Sequence, residues 1–302
     1  MKIGVIGVGA VGGYYGAKLA KAGNNVTFIT TERNQTYLRE HGLIIKSYQG
    51  DFEIKKPHVG HDFKFISDAD LILFCVKSYH TKEVAAALKP RISEKATIIS
   101  MQNGVENEDI LAEIFGRERV IGAAVYISSS MPDRNVIKHT GFGKVIFGEL
   151  NGEISDRIRM IEQLFLNASI PAGVSSNIKK DLWKKLILNI ASNGFASIIG
   201  KPLSQLHEIP EAMQAFISVI KEAQMVASKE GYEITDDDLD DIIRITDTES
   251  FKNFKPSTLQ DIEAGKNIEI DAMQGAIIRA AKKHGLEVPV NNLIYALLKL
   301  KY

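Results

Sequence analysis

Two sets of residues in this chain have the types and spacing to do chemistry. The first is Lys185, Asn189 and Asn193, one cation and two carboxamides recurring every four residues in DLWKKLILNIASNGFASIIG (181–200). At about 100° per residue, each four-residue step advances the direction only about 40° past a full turn, so in a helix the three form one polar ridge. Leu182, Leu186, Ile187, Ile190 and Ile198 supply apolar positions around it. A solvated face is usually richer in Glu, Gln and Ser, and Asn is a mediocre helix former because its side chain competes for backbone hydrogen bonds. The ridge reads either as a row of groups for a polar ligand or as a partly buried face that satisfies its own neighbours. The second set is Gly7-Val8-Gly9-Ala10-Val11-Gly12, a G-x-G-x-x-G run. Gly7 permits a tight turn, Gly9 lets a pyrophosphate approach the backbone, and Gly12 lets a helix pack close to a strand.

The elements around these residues must position them. KIGVIG is an apolar strand that leads into the glycines, and YYGAKLAKAG has helical spacing ending at Gly23. In such a strand–turn–helix unit the phosphates of a dinucleotide meet the N–H groups and positive end of the helix. NNVTFIT is the second strand. NAD-specific folds place an acid on the ribose hydroxyls at its end, whereas NADP-specific ones leave room and a cation for the 2′-phosphate. Here the strand runs into Thr30, Thr31, Glu32 and Arg33, with Arg33 suited to the phosphate and Glu32 to a hydroxyl. GLIIKSYQGDFEIKKP predicts a hairpin or meander around Gln49-Gly50. DADLILFCVKSYHTKEVAAAL and KATIISMQNGVENEDILAEIF each predict strand, turn and helix, with Asn107 as N-cap of the second helix. Lys77 and Asn103 fall just beyond those strands, at the carboxyl edge where open α/β sheets bind ligands.

RVIGAAVYISSS, NVIKHT and KVIFGEL predict three strands separated by turns around Pro132-Asp133 and Gly141–Gly143. EISDRIRMIEQLFLNAS predicts a helix and IPAGVSSN a last strand and connector. The fold class expected is α/β, with a Rossmann dinucleotide-binding domain over 1–175 and an all-α domain over 176–302. In the second half PEAMQAFISVIKEAQMVASKEG, TDDDLDDIIRITD, DAMQGAIIRAAKKHG and NNLIYALLKLKY have helical patterns. In PSTLQDIEAGKNIEID, Ser257 is the expected N-cap with Gln260 as capping-box partner. Glu269 falls in a short turn or extended piece, where an exposed loop acid is its simplest reading.

Composition narrows the function classes. The 302 residues exceed the usual single domain, and 45% apolar with 25% charged residues is ordinary for a globular protein. A net charge of +0 gives no footprint for nucleic acid or anionic membrane. The single cysteine, Cys75, excludes an internal disulfide and fits a reducing cytoplasm; inside LILFCV it reads as a core thiol. No apolar run reaches the ~18 residues of a membrane span. The chain opens on a strand, so no signal peptide and a cytoplasmic location are expected. No His/Cys/Asp/Glu cluster has metal-ligand spacing, so no metal site is expected. The long helices of the second half leave a homodimer open.

Taken in order, GVGAVGGYYGAKL, CVK, MQNGVEN, LWKKLILNIASN and PSTLQDIEAGKNIEID resemble the ketopantoate reductases (2-dehydropantoate 2-reductases) over essentially the whole chain. The last three motifs are specific; the glycine run is shared by many dehydrogenases. The resemblance implies a Rossmann domain followed by a helical one. It implies NADP(H) as cofactor and a small 2-oxo acid as substrate, with ketopantoate reduced to (R)-pantoate in pantothenate biosynthesis. It makes Lys185 the catalytic lysine, and Asn189, Asn193 and Ser257 substrate-binding. Glu269 becomes an acid that approaches the lysine, the substrate and the cofactor. Asn103 contacts cofactor and substrate, Lys77 lies near the cofactor, and Gly7 to Gly12 with Arg33 bind the dinucleotide. Three positions depart from the pattern. Thr31 stands where many members carry a phosphate-holding arginine, His80 where a glutamine is common, and Pro256 where a serine is frequent. Ketone reduction needs a hydride donor, a proton donor and a holder for the substrate, and an ammonium at Lys185 would both stabilise the developing alkoxide and protonate it. Apolar neighbours lower a lysine's pKa and a nearby carboxylate raises it. A reductase of another branched 2-oxo acid is the alternative. A regulatory dinucleotide-binding module without turnover is a third reading, against which Lys185 and both asparagines speak.

Overall fold

The computed structural model describes residues 1–252 and 254–302. The chain divides into two compact units, Met1–Gln102 with Asn107–Ile178, and Asn103–Glu106 with Lys179–Tyr302.

The first unit carries, in order, β1 (Lys2–Ile6), α1 (Ala10–Lys21), β2 (Asn25–Ile29), α2 (Glu32–His41), β3 (Leu43–Ser47), β4 (Phe52–Ile54), β5 (His58–Gly60), β6 (Leu71–Phe74), α3 (Thr81–Leu88), β7 (Thr97–Ser100), α4 (Asn107–Phe115), β8 (Val120–Asp133), β9 (Val136–Glu149), α5 (Asp156–Asn167) and β10 (Ala172–Val174). The strands form one sheet in the order β4-β3-β9-β8-β7-β6-β1-β2-β5, with β10 paired to β9. From β5 through β2, β1, β6 and β7 to β8 every pairing is parallel. From β1 the chain adds β2 on one side, crosses to the far edge to lay β3 and β4 beside β9, and returns to add β5 next to β2. It then starts β6 on the other side of β1, so the strand order reverses between β1 and β6. This is the doubly wound Rossmann arrangement. Its strands read as unbroken apolar runs because parallel strands are covered on both faces, and Ile3, Val5, Leu71, Leu73 and Ile99 are all buried.

Three details differ from the sequence expectation. NVIKHT and KVIFGEL are one strand: β9 runs unbroken over fourteen residues against an equally long β8. The Gly141–Gly143 segment is absorbed as a register shift, with Phe142 at φ 58° and Gly143 at φ 115°. A bulge takes up the extra residue without ending the ladder. Likewise β8 continues through Pro132-Asp133 and the turn comes at Arg134-Asn135. Asn107 is the first residue of α4, buried, and accepts from the Thr81 hydroxyl at 2.9 Å.

In the second unit follow α6 (Ile178–Ile199), α7 (Pro210–Lys229), α8 (Asp236–Thr246), α9 (Glu249–Lys252), α10 (Ser257–Glu263), α11 (Gln274–Lys283) and α12 (Pro289–Lys301). The unit is helical throughout its regular elements. α6 is apolar around most of its circumference, with Leu182, Trp183, Leu186, Ile187, Ile190 and Ala196 buried, as befits a helix covered on several sides. Gly194 permits that closeness: a Cβ there would lie 2.8 Å from both Gln274 Nε2 and Ile294 Cγ2. The acidic start of α8 is a capping box between Thr235 and Asp238, and Lys184 ties Asp238 to α6 at 2.7 Å. Among the described residues no helix is long and apolar enough to cross a membrane.

Candidate active site

In the first unit the glycine run lies where the strand order reverses, and each glycine has a separate structural reason. Gly7 follows β1 at φ +94°, and a Cβ on it would sit 2.8 Å from the carbonyl carbon and oxygen of Cys75, just past β6. Gly12, in the first turn of α1, would place a Cβ 2.3 Å from the Gly7 carbonyl oxygen and 2.9 Å from Cys75 Cβ. Gly9 is different: its backbone is extended, and nothing lies within 4 Å of an added Cβ. It opens to solvent at the N-cap of α1, which has no side-chain cap and no acid in its first turn. The first helical bond is Gly13 N–H to Gly9 C=O at 2.9 Å. The N–H groups of Ala10, Val11 and Gly12 precede it and are the orphan donors of the helix start. Bare N–H groups, the positive end of the helix dipole and an open glycine fit a pyrophosphate. The Cys75 thiol is pushed up in pKa by burial and stays protonated, which suits a packing role.

The flanking predicted residues fall around this edge. Thr31 caps α2, accepting from Asn34 N–H at 3.4 Å, and Glu32 and Arg33 stand exposed in the first turn beyond β2. Lys77 is half-buried two residues past Cys75 and caps the 3₁₀ turn Ser78–His80. A network that the motifs did not reveal ties the loops after β6 and β7. The buried Gln102 amide donates to the Val76 carbonyl at 2.9 Å and to the Thr81 hydroxyl at 2.7 Å, and Thr81 donates on to Asn107. The signal for it was a glutamine in an otherwise apolar strand end, legible only once Thr81 was known to face it.

In the second unit the ridge on α6 is real and mostly buried. Lys185 is 8% exposed, and its ammonium donates to Asn103 Oδ1 at 3.0 Å. Asn103 therefore belongs structurally with α6 even though it follows β7 in the chain. Asn189 is half-buried one turn on. Asn193 bonds within the unit: its amide donates to Asn189 C=O at 2.9 Å, and its oxygen accepts from Thr258 N–H at 2.9 Å and from the Ser257 hydroxyl at 3.3 Å.

These bonds correct the reading of Ser257. It is the first residue of α10, not its cap; Pro256 holds the cap position without a side-chain bond, and Gln260 turns back to the Lys255 carbonyl at 2.7 Å. The carboxamide of Asn193 takes over the capping role from another helix, which leaves the Ser257 hydroxyl beside it. Glu269 is likewise not an exposed loop acid: it is 6% exposed and precedes the 3₁₀ turn Ile270–Ala272. The motifs give no role to Lys179 and Arg279, which bond the segment bearing Asn103 at the Val105 carbonyl and the Glu106 carboxylate. Among the described residues no group of three or more His, Cys, Asp or Glu side chains could hold a metal ion.

Comparison with known proteins decides the family. The model for "Ketopantoate reductase PanE/ApbA" matches residues 3–152, and that for its C-terminal domain matches 177–302. The chain belongs to the ketopantoate reductase family. It is thus a dinucleotide-binding oxidoreductase by family. It is 32% identical over 303 aligned residues to an uncharacterized oxidoreductase, YkpB, of Bacillus subtilis, covering 99% of this chain and 98% of that protein. It is 31% identical to the 2-dehydropantoate 2-reductase of Pyrococcus abyssi, covering 100% of this chain and 98% of that one. Among solved structures, a PanE/ApbA family ketopantoate reductase from Ralstonia eutropha superposes with a TM-score of 0.91 at 34% identity, covering 99% and 98% of the two chains. A D-mandelate dehydrogenase solved with NADH and anilino(oxo)acetate shares the fold, with a TM-score of 0.92 at 24% identity.

Proposed function

We propose that this protein is an NADPH-dependent 2-dehydropantoate 2-reductase, forming (R)-pantoate from ketopantoate. The observation that carries the reading is the buried Lys185, which shares α6 with Asn189 and Asn193 and whose ammonium donates to the Asn103 carboxamide. Gly7 to Gly12 would hold the pyrophosphate on the first N–H groups of α1. Arg33 and the start of α2 would take the 2′-phosphate, and Lys77 would lie near the cofactor. When bound, the dinucleotide supplies the hydride that reduces the ketone carbon. Lys185 stabilises the negative charge that builds on the carbonyl oxygen and donates the proton from Nζ, giving the alcohol. Asn189 and the Ser257 hydroxyl supply neutral donors and acceptors for the substrate's carboxylate and hydroxyl, and Glu269 orients Lys185 and substrate. Asn193 serves the site by holding Ser257.

A second reading, reduction of another branched 2-oxo acid, is favoured by the family relation to an oxidoreductase of unassigned substrate at 32% identity. The shared fold of a mandelate dehydrogenase adds nothing to that choice, since one fold hosts many substrates. The deciding experiment is NADPH oxidation with ketopantoate and a panel of branched 2-oxo acids, repeated with NADH. Saturation at low ketopantoate supports the first reading. Activity confined to another acid replaces it with the second.

A further inference from the structure

Asn103 is carried on a short segment, Asn103–Glu106, that the helical unit holds by three cations. Lys185 donates to Asn103 Oδ1 at 3.0 Å, and the buried Lys179 donates to the Val105 carbonyl at 3.0 Å. Arg279, on α11, grips the Glu106 carboxylate with two nitrogens, Nε to Oε1 at 3.1 Å and Nη2 to Oε2 at 2.6 Å. The same Nη2 donates to the carbonyl of Asp271, two residues past Glu269, at 2.8 Å. The geometry is self-consistent. Lys179 and Lys185 are six residues apart, about 9 Å along a helix. Asn103 and Val105 span at most about 7 Å, so the segment runs alongside α6 in the opposite direction and the long side chains close the difference. Gly104, buried at φ +107°, makes that path available to the backbone.

We propose that Lys179 and the Glu106–Arg279 pair are positioning residues for the reaction. They clamp Asn103 so that its oxygen meets the Lys185 ammonium, and Arg279 joins that clamp to the turn that follows Glu269. None of the three touches the reacting atoms. The inference rests on the reductase reading above for its effect on turnover, but the clamp itself is a property of the structure. Much of the Glu106–Arg279 pair is exposed, at 47% and 51% of the two side chains, so its stabilisation of the fold is small. Its two-point geometry and its place one link from Lys185 give it leverage on orientation instead.

The test uses the full chain with Glu106→Arg, Arg279→Glu, the double exchange, and Lys179→Met, which keeps the buried stem. Two readouts are taken: amide hydrogen exchange across residues 101–108, and kcat and KM for the 2-oxo acid. Each single variant is expected to speed exchange in that stretch and to lower kcat about three- to tenfold with a smaller change in KM. Tm stays close to wild type for the Glu106 and Arg279 variants, whereas Lys179→Met, which removes a buried donor from the Val105 carbonyl, also lowers Tm. The double exchange restores slow exchange relative to the Glu106 and Arg279 single variants but only part of kcat, because a carboxylate at position 279 cannot donate to the Asp271 carbonyl. Unchanged exchange in the single variants overturns the clamp, and faster exchange with unchanged kcat overturns the positioning role. A wild-type protein inert toward every 2-oxo acid would refute the functional reading, and the exchange data alone would then uphold or overturn the clamp.

Discussion

Gly9 and Gly12 sit three residues apart, at the N-cap and in the first turn of α1, and the structure assigns them opposite jobs that a pair of alanine substitutions separates. A Cβ at Gly12 would lie 2.3 Å from the Gly7 oxygen, 2.9 Å from Cys75 Cβ and 3.2 Å from its sulfur. The oxygen cannot swing aside easily, because Gly7 is packed on the Cys75–Val76 backbone and its N–H bonds Ile29 C=O at 3.3 Å. α1 must therefore retreat by roughly 1 Å. Overpacking of this kind costs about 1–3 kcal/mol. The better helix propensity of alanine offsets up to about 1 kcal/mol of it. At about 2–4 °C per kcal/mol for a large chain, Gly12→Ala should lower Tm by several degrees. Gly9→Ala meets no protein atom within 4 Å and has φ −98°, open to any L-residue. Its Tm should stay within about 1 °C of wild type, or rise slightly from the lost freedom of the unfolded chain. Its methyl would instead stand in the path of the pyrophosphate, raising the dinucleotide Kd about ten- to a hundredfold, or about 1.4–2.8 kcal/mol. Thermal denaturation and calorimetric titration with NADPH measure both. A Gly9→Ala protein that binds NADPH as tightly as wild type refutes the placement of the phosphates on this loop, whatever its stability.

Lys185→Met should lower kcat at least a hundredfold while the NADPH Kd moves less than about twofold; near-normal turnover in steady-state kinetics would remove Lys185 from the chemistry. Asn193→Ala strips the acceptor from Thr258 N–H and loosens Ser257, so Tm should fall by an amount equivalent to about 1–3 kcal/mol and KM for the 2-oxo acid should rise. A lowered Tm with unchanged KM would confine Asn193 to the fold. His139 is buried, with its ring nitrogens on Ser47 Oγ at 2.9 Å and Gly141 O at 3.1 Å, and burial lowers its pKa from the ordinary 6.5. The unfolded chain therefore takes up this proton first, and stability should decline as pH falls below about 6.5. Comparing Tm at pH 7.5 and 5.5, wild type should lose more than His139→Gln; equal losses would show that His139 is not held neutral.

Much of this protein could be read along the chain because its signals are local. A glycine run between an apolar strand and a helix needs no partner to be recognised, since φ, Cβ clashes and helix-end N–H groups are set within a few residues. The four-residue recurrence of Lys185, Asn189 and Asn193 is a helix property and survived intact. What misled were places where a distant group supplied what a neighbour was expected to supply. Ser257 has the look of a cap with a capping box, yet Asn193, 64 residues earlier, provides the oxygen. Gly141 to Gly143 has the look of a turn, yet the long β8 partner carries β9 through it.

From the chain by itself, the element types, the strand–glycine–helix unit and the identity of the ridge were determined, because each depends on residue spacing within one turn or one strand. Only the tertiary structure decided which groups those residues meet: that Glu269 is buried, that Asn103 belongs with Lys185, and that Lys179 and Arg279 hold its loop. The reason is physical. A cation six residues up a helix and an arginine 173 residues away carry no mutual signal in composition or period. Their relation exists only after burial has brought the backbones together and set each charge against its partners.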